Sequence, residues 1–272
     1  MADLVAAMAS VHLPSLLSAP ERFTPPVWEK FQDGFATLRQ TLTSAGVDTI
    51  VVISDEHFNA LHPDAYPAFG VVTAPTCSGP VENWLRVPRR SITVRGVPEL
   101  GEAVLREGAR QGFDLTRLGA IGLDHGFLTC LSFLTPKWDL DYLWLIQNCV
   151  LPPLPSVRRC YEFGRMVGDA IRTWDSPRRV AVLGTGGLSH AVGTPQAGQV
   201  DVAFDLRFLD LITVNSPGLC EISDEEMDAA GNGAHEVRNW IAVAGAAAGS
   251  NAEVVMYENV PGIGCAMVQF DV

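Results

Sequence analysis

Nothing in this chain offers a closely spaced cysteine pair. Its six cysteines (Cys77, Cys130, Cys149, Cys160, Cys220 and Cys265) are scattered, with no Cys-x-x-Cys among them. That argues against a disulfide scaffold and for free thiols in a reduced, cytoplasmic protein. Basic residues are also scarce: 19 Lys and Arg stand against 31 Asp and Glu, for a formal charge of −12. Nucleic acid is thereby disfavoured as a partner, because its phosphates reward Lys and Arg. No apolar run approaches the ~20 residues that span a bilayer, so no membrane contact is expected. The apolar start at Leu4 to Met8 follows Asp3 and no Lys or Arg, and it reads as a first strand, not a signal peptide. The sequence contains no internal repeat, low-complexity tract or interdomain linker.

What is present fits one globular domain over residues 1–272. Hydrophobic residues make up 47% and charged residues 18%, enough apolar surface for a sizeable core. Near-continuous apolar segments at 3–11, 49–54, 119–123, 142–151 and 179–184 read as strands covered on both faces. Helices are expected between them, at 28–45, 98–112, 157–174, 202–213 and 233–249, the second opening on Pro98-Glu99. Alternating strand and helix imply an α/β fold: a mostly parallel or mixed central sheet flanked by helices. Residues 72–97 differ, with Thr, Pro, Gly and Ser followed by Arg86, Arg89, Arg90 and Arg95 around Ile92-Thr93-Val94. They read as a solvated basic loop with a short β arm, with lidding a pocket or touching another subunit as alternatives.

Five of the six histidines stand where chemistry can use them. His12, His57, His125 and His190 follow apolar runs, and His235 adjoins Glu236 at the start of a helical stretch. The carboxyl ends of strands in an open α/β sheet line its ligand crevice, so imidazoles delivered there by separate strands can converge on a metal. Two histidines and one carboxylate on one face of a metal leave positions open for substrate and O2. Glu236 and His235 compete as the third ligand; Glu236 shares a helix face with Trp240 and Val243, and reads equally as a first-turn glutamate complementing the helix dipole. Asp55, Glu56 and Asp124 are placed either to orient imidazoles as hydrogen-bond acceptors or to stand as solvated loop acids. His62 reads as a surface loop residue. Gly184-Thr185-Gly186-Gly187 is neither a dinucleotide fingerprint nor a phosphate loop. Its glycines suit a tight turn that presents Ser189 and His190 to the crevice.

Taken in order, these segments resemble the class III, LigB-type extradiol ring-cleavage dioxygenases. The resemblance runs through His12-Leu13-Pro14, Glu56-His57-Phe58-Asn59, Pro67-Ala68-Phe69-Gly70, Asp124-His125-Gly126, Gly184-Thr185-Gly186-Gly187-Leu188-Ser189-His190 and His235-Glu236. It implies that His12, His57 and Glu236 bind Fe(II). It further implies that His190 is the general base, with His125 an acid and hydrogen-bond donor at the oxygen site. The substrates would be O2 and a catechol-type or dihydroxypyridine-type ring. The chain departs from the family in having Glu56 where Asp usually precedes the second metal histidine, and in a short stretch from about 213 to 232. A homo-oligomer is expected, with residues 86–95 and the Ala-rich helix near 241–249 as contact surfaces, and a small partner subunit is a further possibility. Two other readings fit the same residues: a zinc-dependent hydrolase on this metal site, and a non-catalytic binding module that kept the fold.

Overall fold

The computed structural model describes residues 1–87, 91–214 and 217–272. In chain order the strands are β1 (Asp3–Ser10), β2 (Thr49–Ser54), β3 (Phe69–Val72), β4 (Thr76–Gly79), β5 (Ile92–Gly96), β6 (Thr116–Leu118), β7 (Asp141–Gln147), β8 (Arg179–Thr185), β9 (Ala252–Val260) and β10 (Ile263–Phe270). The helices are α1 (Ser15–Ser18), α2 (Pro25–Ser44), α3 (Pro98–Arg110), α4 (His125–Leu134), α5 (Val157–Thr173), α6 (Val202–Thr213), α7 (Asp224–Ala230) and α8 (Val237–Ala246). All the strands join one mixed sheet of order β4-β5-β7-β2-β8-β1-β10-β9, with β3 and β6 branching from β7.

At the centre, β7, β2, β8 and β1 run parallel. Their registers end together, with Ser54 opposite Ile146 and Ser10 opposite Thr185. Successive side chains point to opposite faces, and both faces are dry. Val51, Ile53, Leu143, Leu145 and Val182 pack under α5 and α8 against Phe163, Met166 and Trp240. Ile50, Val52, Tyr142, Trp144 and Leu183 pack under α2 and α4 against Phe31, Phe35, Phe127 and Leu131. The two-sided burial explains why these strands read as unbroken apolar runs.

Helix α8 is pressed onto α5 with backbone in contact. A Cβ on Gly164 would strike the Ala242 carbonyl, and one on Gly245 the Tyr161 carbonyl. This close approach fixes α8, whose N-terminal neighbour is Glu236.

Several expectations change. Residues 119–123 form no strand; only an isolated bridge joins Gly122 to Ser78, and His125 opens a helix instead of following a strand. The stretch 142–151 is strand only to Gln147. The helix expected at 233–249 is a 3₁₀ turn, Asn232–Glu236, followed by α8. Every residue of α8 is buried within the chain, so it is no contact surface. The antiparallel β9–β10 hairpin, which joins β1 through β10, was not anticipated. In the basic segment, Arg95 pairs with Asp141 at 2.5 Å, while Arg89 and Arg90 lie outside the described residues. Among the described residues no helix is long and apolar enough to cross a membrane.

Candidate metal centre

Four elements converge at the carboxyl edge of the parallel strands. His12 follows β1, His57 follows β2, His190 follows β8, and Glu236 ends the turn before α8. His12 Nε2 lies 3.2 Å from one Glu236 oxygen. His57 Nε2 and His190 Nε2 lie 3.9 and 3.6 Å from the other. His125, at the first position of α4, brings its ring to 4.0 Å from that of His57 and 5.5 Å from that of His12.

Hydrogen bonds decide which nitrogen each imidazole presents. The His57 ring bonds through Nδ1 to Asp124 Oδ2 at 2.9 Å. Asp124 also accepts the His57 and Gly126 backbone N–H groups. Burial pushes the Asp124 carboxyl up, but the hydrogen bond and charge of His57 outweigh it and hold the group at about 2. An ionised acceptor keeps the proton on Nδ1 and leaves Nε2 as the nitrogen facing the centre. For His12 the partner at Nδ1 is Thr185 Oγ1 at 3.2 Å. The single hydroxyl proton of Thr185 is used on Gly126 O or Ser54 Oγ, each at 2.8 Å, so Thr185 accepts from Nδ1 and the His12 Nε2 is bare. His190 donates Nδ1–H to the Leu188 carbonyl at 2.9 Å, again leaving Nε2 inward. His125 Nδ1 meets Glu82 Oε1 at 2.5 Å, and its backbone N–H donates to the other Glu82 oxygen at 2.7 Å.

The charge balance is negative. Burial would raise the Glu236 carboxyl, yet His12 and His190 hold it well below the ordinary range. Burial opposes charge on His57, but Asp55, Asp124 and Glu236 raise it well above the usual imidazole value. Asp55 is fully buried and itself raised by that burial. Its Oδ2 has no hydrogen-bond partner and lies 3.3 Å from His57 Nε2. Inward lone pairs facing buried carboxylate oxygens repel unless protons or a cation lie between them. One donor atom from each of His12, Asp55, His57 and Glu236 falls within 4.8 Å of the rest, and His12, His57 and His125 form a second such group. This nitrogen and oxygen donor set fits a divalent transition-metal ion.

Backbone geometry permits the crowding. Gly186, at φ +149, lies against Glu236, and Gly233 has no room for a Cβ beside the His190 ring. Gly187 N–H donates to Glu236 Oε2 at 2.5 Å. Phe58, next to His57, is held at φ 57, a left-handed conformation costing ~1–2 kcal/mol for a bulky residue. A cavity of about 610 Å³ opens beside His12, His57, His125 and His190, walled by Trp84, Pro261 and Ile263. A second, of about 370 Å³, reaches His57 and Glu236 past Phe58, Val150 and Leu154.

Residues 6–268 match the family described as the catalytic LigB subunit of aromatic ring-opening dioxygenases. The chain belongs to the LigB family. It is 31% identical over 163 residues to a gallate dioxygenase of Pseudomonas putida, and that stretch is 58% of this chain and 48% of the relative. It is 28% identical over 269 residues, 80% of this chain and 82% of the other, to a 2,3-dihydroxyphenylpropionate/2,3-dihydroxicinnamic acid 1,2-dioxygenase of Xanthobacter autotrophicus. The chain spans about half the length of several curated relatives that it matches. An uncharacterised protein of Escherichia coli K12 shares the fold, with TM-score 0.62 at 13% identity over 98% of this chain and all of that one.

In this LigB-family chain the structure brings His12, His57, His125, His190 and Glu236 together and keeps His235 out. His235 Nε2 bonds to Asp228 at 2.8 Å and its Nδ1 accepts from Arg238. Burial, with the Arg238 charge, holds His235 below the usual value, so both of its nitrogens are committed. His62 is exposed, as expected of a loop residue. Asp124 serves His57, not its neighbour His125. Glu56 does not orient an imidazole: it accepts the backbone N–H groups of Asn59, Ala60 and Leu61 and ties the loop. Ser189 is structural, its N–H bound to Asp205 and its Oγ accepting from Asp201. Sequence reasoning missed Glu82 and Trp84, which stand in the Pro-rich stretch with no local signal, and the role of Thr185, which sat inside a quoted motif.

Proposed function

We propose that this chain is a non-haem Fe(II) extradiol dioxygenase that opens a catechol-type or dihydroxypyridine-type ring, placing both atoms of O2 in a semialdehyde acid. The observation that supports it is the convergence of the inward-facing His12 and His57 Nε2 atoms with Glu236, beside a cavity that also holds His125 and His190. In this reading His12, His57 and Glu236 hold the metal, and Fe(II), when bound, supplies the redox link between the electron-rich ring and O2.

The chain's own groups handle position and protons. The large cavity falls within the usual size range of small-molecule sites, and Trp84, whose ring lies 5.6 Å from that of His125, offers an aromatic wall for a planar substrate. His190 keeps its proton on Nδ1, so its Nε2 is free to take a hydroxyl proton as the diol binds. Burial disfavours charge on His190, but Glu236 and the Leu188 carbonyl raise its proton affinity, which suits a base. His125, anchored by Glu82 through Nδ1, is left with Nε2 to hold or deliver a proton during bond cleavage.

The sequence contains no paired cysteines and all described cysteines are free thiols, which supports a reducing cytoplasmic setting. Association into a dimer or larger, through surfaces other than α8, belongs to the same proposal and is read by light scattering. The reaction is tested by anaerobic Fe(II) loading followed by O2 uptake with catechols, gallates and dihydroxypyridines. A yellow ring-opened product with O2 consumption is expected. Turnover of an ester or amide by the Zn(II) form without O2 would replace this reading by the hydrolase.

A further inference from the structure

Resting on the metal-site reading above, we propose that Asp55 is a fourth metal-directed ligand, completing a two-histidine, two-carboxylate donor set for a divalent cation in the substrate-free protein. Asp55 is fully buried between β2 and the His57 loop. Its Oδ1 accepts from Asn239 Nδ2 at 3.0 Å. The orientation of that amide is fixed, because Asn239 Nδ2 also donates to the Thr185 carbonyl at 2.9 Å and Asn239 Oδ1 accepts from Gln147 Nε2 at 3.1 Å. The network leaves Asp55 Oδ2 as the free oxygen. That oxygen has no hydrogen-bond partner and faces His57 Nε2 at 3.3 Å, the nitrogen turned inward because Nδ1 bonds to Asp124.

A fully buried carboxylate oxygen without a hydrogen bond is costly, and His57 Nε2 at 3.3 Å offers it only a long ion-pair contact. A cation bound by His57 Nε2 would satisfy both. The four donors already fall within 4.8 Å of one another. Two carboxylates cancel the charge of a divalent ion, so the buried site becomes neutral when loaded. The added hard oxygen favours Mn(II) and Fe(II) over softer-site metals. The competing role for Asp55 is a plain counter-charge to a protonated His57, which would give no aspartate coupling to the bound ion and whose removal would ease loss of the competing proton.

Two measurements on the full chain separate these roles. In the first, Mn(II) is bound to wild-type protein carrying carbon-13-labelled aspartate carboxylates, and electron-nuclear double resonance is recorded. A strong aspartate carbon coupling is expected, because the other donors are histidine and glutamate and Asp124 is occupied by His57. In the second, Mn(II) titration of Asp55→Asn should show affinity lower by about tenfold or more, with the metal-free variant still folded by circular dichroism. No aspartate coupling in wild type overturns the proposal while leaving the three-ligand site intact, as does unchanged affinity in a folded variant. Wild-type protein that binds neither Mn(II) nor Fe(II) overturns this inference and the metal-site reading together.

Discussion

Replacing Asp124 by Asn removes a buried carboxylate that serves three purposes. It caps α4 through Gly126 N–H, anchors the His57 backbone, and holds the His57 ring through Nδ1. An amide offers one acceptor oxygen for these donors, so at least one is left unmet. The carboxyl falls from its ordinary 3.8 to about 2 in the folded chain. At about 1.36 kcal/mol per pH unit, the ionised form stabilises the fold by roughly 2 kcal/mol at neutral pH. For a depressed carboxylate this contribution is present above the unfolded value and is lost as pH falls through the folded one. The metal-free Asp124→Asn protein should therefore melt about 5–10 °C below wild type at pH 7. The gap should shrink to about half in free energy by pH 3. Because the His57 tautomer is no longer imposed, metal affinity should also fall about 10–100-fold. Thermal unfolding at the two pH values and a metal titration read all of this. Equal melting temperatures at pH 7, or a gap that does not narrow on acidification, would refute the reasoning.

His190→Ala should retain metal and lose about 10²- to 10⁴-fold in turnover, and it alone should fail to form the spectrum of a fully deprotonated bound catecholate under anaerobic titration. His125→Ala should form that spectrum and stall after substrate binding, with Glu82→Gln reproducing a milder version. Glu236→Gln should lose most metal loading, whereas His235→Asn should retain it; the reverse order, read by metal analysis, would move the carboxylate role elsewhere. Metal loading should weaken on acidification, because His57 holds a proton well above the usual imidazole value and must release it to bind. In the metal-free chain the sign is opposite: the His57 contribution to stability is full below about pH 6.5 and is lost as pH rises through its raised folded value. Melting curves across pH, with and without metal, should thus diverge toward high pH.

The central strands were legible because two-sided burial writes them as unbroken apolar runs: 49–54 and 179–184 fall on β2 and β8 almost residue for residue. Helix α6 was equally clear, with Asp201 accepting the Phe204 N–H at its start. The misreadings share a cause in tertiary context. Residues 119–123 look like a strand, but they form only an isolated bridge from Gly122 to Ser78, and Asp124 then caps a helix. Hairpin β9–β10 turns at Pro261-Gly262, a local turn signal left unused in the strand assignment. At the site, His12, His57 and His190 announced themselves through their positions after strands. Their orienting partners did not, since Glu82 reaches His125 across 43 residues and Thr185 reaches His12 across 173. Such pairs exist only once the sheet order is known. The Glu236 and His235 ambiguity was likewise unresolvable until Arg238 and Asp228 were seen to occupy His235.

The central claim is that a metal held at His12, His57 and Glu236 works with His190 to insert both atoms of O2 into an aromatic diol. The most direct measurement is mass spectrometry of the product formed by Fe(II)-loaded protein from a catechol under isotopically labelled oxygen gas. The account predicts a ring-opened product carrying label from both atoms, formed in step with O2 consumed and lost in Glu236→Gln. Label at one position or none, or product formed without O2, would contradict it.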